Sequence, residues 1–128
     1  MTRHDAALIF AGLLGSFGAV VHGLLTQSHL VDPVRELAAA RISVPIQRLV
    51  TLLLQFSTFN WFIGGLALIA AACLSGQEGR LAAGLLVGSS YLFAALGNLW
   101  ATRGRHPGWI VYGAAFSLIL YGLAEPHA

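Results

Sequence analysis

The sequence predicts an all-α fold: an integral membrane four-helix bundle with a short interfacial helix between spans 1 and 2. Three observations carry that reading. Of 128 residues, 57% are apolar and 9% are charged, against roughly 25% charged in soluble domains. The mean hydropathy is +0.76. Four apolar stretches, each about the 20 residues that a bilayer requires, are separated by segments rich in arginine, proline and glycine. Five acids and seven arginines cannot cover a soluble domain of this size, whereas lipid can face Leu, Ile, Phe and Ala directly.

The whole chain reads as a single transmembrane domain. Its first span is predicted over 6–26, interrupted only by Ser16 and His22. This stretch is longer than the roughly 7–15 residue core of a secretory signal, and no small-x-small site follows it, so it is expected to be retained. Asp32-Pro33 is then a helix-start signal, an acceptor followed by a ring pre-set for the first turn. Val34, Leu37, Ala38 and Arg41 continue at helical spacing, predicting an interfacial helix over 33–41. Ser43-Val44-Pro45 breaks it and starts the second span, 45–74. Tight turns at 75–79 and 103–107 lead into spans over 80–102 and 108–124, so the last three spans are antiparallel neighbours.

Four spans put both termini on one side. The loops after spans one and three carry five arginines, including Arg48, Arg103 and Arg105, against Arg3 and Arg80 opposite. The positive-inside rule places the five in the cytoplasm and both termini outside. The absence of lysine, with heavy Ala, Gly and Leu use, points to a GC-rich bacterial genome.

Small residues mark where helices meet in lipid. They are Gly12, Ser16, Ala19 and Gly23 on span one, Gly64-Gly65 on span two, Gly84, Gly88 and Ala95 on span three, and Gly113 with Ser117 on span four. Cys73, the only cysteine, excludes an intrachain disulfide and reads as an inert buried thiol.

No set of side chains for catalysis or metal binding stands out. The acids, Asp5, Asp32, Glu36, Glu78 and Glu125, all fall at interfaces, so no intramembrane carboxylate is present to carry protons. A net charge of +2 offers no surface for nucleic acid. What the spans do contain is a polar level. His22, Gln55, Asn98 and Tyr112, one from each span, lie about 6–9 Å below the arginine-rich surface at roughly 1.5 Å per residue. Thr51 lies one turn nearer that surface, and His106 is in a turn within reach of it.

Polar groups in hydrocarbon turn inward to find partners. Two readings follow. One is an interhelical hydrogen-bond network that sets the bundle's register. The other is a site, with His22, Thr51, Gln55, Asn98 and Tyr112 at the polar end of a cavity opening toward Arg48, Arg103 and Arg105.

The chain resembles a broad group of short four-span bacterial inner-membrane proteins that carry no assigned activity. The likeness rests on His22 near the end of span one and on the proline-bearing connection. It extends to Gln55-Phe56-Ser57-Thr58-Phe59-Asn60-Trp61 followed by Gly64, and to the His106-Pro107-Gly108-Trp109 turn. That group often has a Trp-His pair where this chain has Leu54-Gln55.

The resulting expectation is a non-enzymatic membrane protein without a cofactor. It is either an accessory subunit packed against other membrane subunits or a homo-oligomer, with a small amphiphile-binding cleft among membrane lipids. A binding or transport protein for an anionic or quinone-like molecule or a lipid is the alternative. A haem-binding electron-transfer subunit using His22 is a further one.

Overall fold

A computed structural model describes residues 2–124 of the chain; Glu125 and His127 lie outside the described residues. The described residues contain helices and no strand: α1 (Arg3–Thr26), α2 (Asp32–Ala38), α3 (Val44–Leu74), α4 (Gln77–Thr102) and α5 (Gly108–Leu123). Three helical segments are long and apolar enough to cross a membrane: Arg3–Ala38, Val44–Leu74 and Gln77–Thr102. The shorter α5 is apolar as well.

The helix expected over 33–41 is present in shortened form but is not a separate element. A π-helical turn, Gln27–Val31, joins α1 to α2 without a break. Asp32 stays helical at φ −65°, ψ −49°, and its N–H reaches back to the Gln27 carbonyl. Pro33 explains the wide turn. A proline in an α-helix clashes with the carbonyl four residues earlier, and the wider π turn relieves that clash. Asp32 therefore does not cap a new helix; it accepts a hydrogen bond from Gln27 Nε2 at 2.7 Å. The 36-residue rod is about 54 Å long at ~1.5 Å per residue, longer than the hydrocarbon of a bilayer.

α3 starts as the sequence predicts, with Ser43 extended at φ −64°, ψ 152° and proline in the first turn. The next link is shorter than expected, because α4 begins at Gln77 rather than Arg80. Arg103 in the left-handed conformation (φ 52°) ends α4, and Gly104 follows at φ 77° with its N–H on the Leu99 carbonyl at 3.0 Å.

The four rods run up, down, up and down. α1 packs between α3 and α5, α4 closes the square, and α1 and α4 run parallel across the diagonal. The start of α1 and the end of α5 meet at one end of the bundle. There Arg80 pairs with Asp5 and donates to the Ala72 and Ser75 carbonyls, while the His4 ring stacks on Tyr121. Arg35, Arg41, Arg48, Arg103 and Arg105 belong to the other end.

Small residues set the closest crossing. A Cβ at Gly65 would lie 2.5 Å from the Gly12 carbonyl oxygen and 2.2 Å from Ser16 Oγ. Ser16 Oγ donates to the Phe62 carbonyl at 3.2 Å, so the contact is both close and polar. Two expectations are corrected. Gly113 has nothing within 4 Å and Ser117 is exposed, so they mark an outward face of α5 rather than an internal contact. Cys73 is exposed because Ala71 and Ala72 take the inward phase of α3.

Outward surfaces are apolar: Phe17, Leu24, Leu52, Phe56, Leu86 and Phe93 are each more than 60% exposed. Gly65→Ala is expected to destabilise the protein by about 2 kcal/mol, since backbone rather than a mobile side chain must move. Thermal unfolding in detergent measures this, and an unchanged midpoint contradicts the crossing.

Candidate functional site

An aromatic column crosses the bundle, built from one ring of each rod. His22 of α1 meets Trp61 of α3 edge-on, with centroids 4.7 Å apart. Trp61 lies 4.5 Å from Tyr112 of α5, and Tyr112 lies 5.2 Å from Tyr91 of α4. Tyr91 is fully buried and its hydroxyl donates to the Trp61 carbonyl at 3.0 Å. Gly15 makes room for that hydroxyl, since a Cβ there would fall 1.9 Å from it.

On the α1–α3 side of the column, His22 Nε2 and both polar atoms of the Gln55 amide are partnered. His22 Nε2 lies 3.3 Å from Ser57 Oγ and 3.2 Å from Thr26 Oγ1. Gln55 Nε2 donates to the Gly23 carbonyl at 3.2 Å and to Gln27 Oε1 at 3.3 Å, and Gln55 Oε1 accepts from Thr58 at 3.0 Å. These bonds span two helices and set register.

On the α5 side the packing is incomplete. α1 and α5 are tight where a Cβ at Gly122 would meet Leu8 at 2.6 Å. Past Gly18 they part. A cavity of about 180 Å³ opens between α1, α5 and the end of α4, walled by Phe17, Val21, Val111 and Tyr112 with His22 and Asn98. A wider cleft of about 340 Å³ adjoins it, lined by Thr26, His29, Leu30 and Thr102. Both spaces share His22, Leu25, Asn98 and His106, which form the narrows between them.

Tyr112 is 2% exposed, and its hydroxyl is the one buried side-chain polar atom without a hydrogen-bond partner among the described residues. Asn98 Nδ2 donates to the Ala94 carbonyl at 2.8 Å. His106 Nδ1 accepts from the Gly108 N–H at 3.1 Å, and the His106 backbone N–H donates to Thr102 Oγ1 at 3.3 Å. Gly108 is required here, because a Cβ would lie 2.9 Å from His106 Nδ1 and 3.1 Å from Asn98 Oδ1.

The polar level read from the sequence is thus divided. His22, Asn98 and Tyr112 share one cavity wall. Gln55 turns to the α1–α3 seam, and Thr51 Oγ1 donates to the Gln47 carbonyl of its own helix at 3.1 Å. Arg48, Arg103 and Arg105 are exposed and line neither space. Depth along a helix was readable, but the direction of a side chain around the axis depends on the neighbour it packs against. Ser57 and Tyr91 were missed. A mid-span tyrosine that must place its hydroxyl was the available signal for Tyr91.

Among the described residues no group of three or more His, Cys, Asp or Glu is placed to hold a metal ion. The chain matches no protein-family model, no curated protein and no solved structure.

Tyr112→Phe removes a buried hydroxyl that has no partner. It is expected to raise stability by about 1 kcal/mol, the reverse of the usual result for a core tyrosine. A lower unfolding midpoint for this variant means that the hydroxyl is paired.

Proposed function

We propose that the chain is an integral membrane protein that binds a small amphiphile between α1, α4 and α5. The observation that carries this reading is the unpartnered Tyr112 hydroxyl, buried beside a cavity with His22, Asn98 and His106 around it. Such a group costs about 1–3 kcal/mol while unpaired, and a bound head group offsets that cost. Phe17, Val21 and Leu25 continue the cavity wall onto the apolar exterior, at 69%, 39% and 40% exposure. An acyl or prenyl tail leaves by that route.

All four rods cross the bilayer in this reading. The five-arginine end faces the cytoplasm of a bacterium and the end carrying His4 and Tyr121 faces outward. The apolar exterior and the single-end grouping of the two termini support it. The wide α1–α2 rod reaches past the hydrocarbon, so α2 stands at the cytoplasmic interface.

The protein acts as an accessory subunit or as a homo-oligomer rather than as an enzyme. Asn60 supports this part. It is exposed midway along α3, and its Nδ2 donates to Ser90 at 3.2 Å. A polar atom at that depth is stabilised by a neighbouring subunit. His22 Nε2, the nitrogen that a haem iron takes, faces Ser57 and Thr26, which favours a hydrogen-bonding histidine over a ligand.

Native mass spectrometry from mild detergent is expected to show one retained amphiphile per chain. Val21→Trp, which fills the cavity from α1, is expected to reduce that retention at least tenfold while the protein stays folded by circular dichroism. Equal retention by the two proteins sinks the reading. A Soret band lost in His22→Ala assigns the site to haem instead.

A further inference from the structure

We infer that the cleft is built for a neutral head group that accepts hydrogen bonds at a carbonyl oxygen, of the quinone type, in preference to an anionic one. This rests on the binding reading above and adds the chemical class. It follows from which polar atoms remain free at the narrows and what each of them can do.

Charge comes first. No Asp, Glu, Arg or Lys lines either space. An anion entering the inner cavity loses its hydration without gaining a cationic partner, which is costly in an apolar wall. The arginines that the sequence offered for that role lie exposed at the rim, out of reach of the inner cavity.

Donor and acceptor parity comes second. The Gly108 N–H donates to His106 Nδ1 at 3.1 Å, so that nitrogen is the acceptor of the ring. A neutral imidazole that accepts at Nδ1 carries its proton on Nε2. The free atom of His106 is therefore a donor. Tyr112 adds an O–H with no acceptor. Asn98 has one N–H on the Ala94 carbonyl and a second N–H left over. Three donors belong to residues lining a space whose remaining wall is apolar apart from His22 and the Asn98 carbonyl oxygen, so donors outnumber the amide acceptor. A carbonyl oxygen answers two of them and needs no donor in return.

Shape comes third. The inner cavity of about 180 Å³ suits one flat ring. Phe17, His22 and Tyr112 line it, and contact with aromatic rings favours a planar head over a tetrahedral one. No electron transfer is part of the inference.

Calorimetric titration of the full chain in detergent micelles tests it with three probes of matched tail: a decyl-substituted benzoquinone, decylbenzene and decanoate. The expected result is that the benzoquinone binds at least tenfold more tightly than the other two. Tyr112→Phe then weakens benzoquinone binding about tenfold, the loss of one hydrogen bond, and leaves decylbenzene unchanged. His106→Phe is the second variant and is expected to act in the same direction.

Other outcomes overturn the proposal. If the three probes bind equally and Val21→Trp abolishes all of them, the cleft is an amphiphile site but the head-group class is wrong. Tightest binding of decanoate, or benzoquinone binding that Tyr112→Phe and His106→Phe leave unchanged, has the same meaning. If no probe binds the wild type, the cleft reading falls with the inference.

Discussion

Where α1 crosses α3 at Gly12 and Gly65, the two backbones come close enough that a single added carbon has no place. Ser16 locks the crossing by donating to the Phe62 carbonyl. On the proposed membrane reading no hydrophobic force presses the helices together, so close packing and polar contacts decide the geometry. Everything nearer the arginine-rich end is positioned from this point. It brings His22 level with Ser57 and Trp61, and Gln55 level with Gly23.

The same crossing leaves α5 with a different task. Bound tightly to α1 near Leu8 and Gly122, it diverges beyond Gly18, since Val111 and Tyr112 hold it off. The aromatic column is the spacer. Trp61, Tyr112 and Tyr91 fill the centre of the bundle at one level and stop the rods from closing at the next. A cavity forms where the column ends, and the tyrosine at its edge keeps an unused hydroxyl. Cavity and scaffold are thus one arrangement: the rings packed at the centre of the bundle also border the cleft.

Much of the architecture was legible in the sequence, because length and apolarity alone separate helical segments of this kind. The starts of α3 and α5 came within a residue of expectation, as did the end of α3. The interfacial helix was the clearest departure. Asp32-Pro33 carries the chemistry of a helix start, but a π turn lets the chain pass a proline without breaking. Local signals state what a residue pair prefers; here the chain runs on through Asp32 as continuous helix instead.

For the site, the sequence by itself determined which polar side chains lie at one depth, because rise per residue is constant along a helix. It also determined that Arg48, Arg103 and Arg105 gather at one end. Only the tertiary structure decided that Gln55 and Thr51 serve helix contacts while His22, Asn98, Tyr112 and His106 face a shared space. The physical reason is rotation. A helix carries its side chains around a full circle, and which of them turns inward depends on the neighbour's shape, which no single span contains.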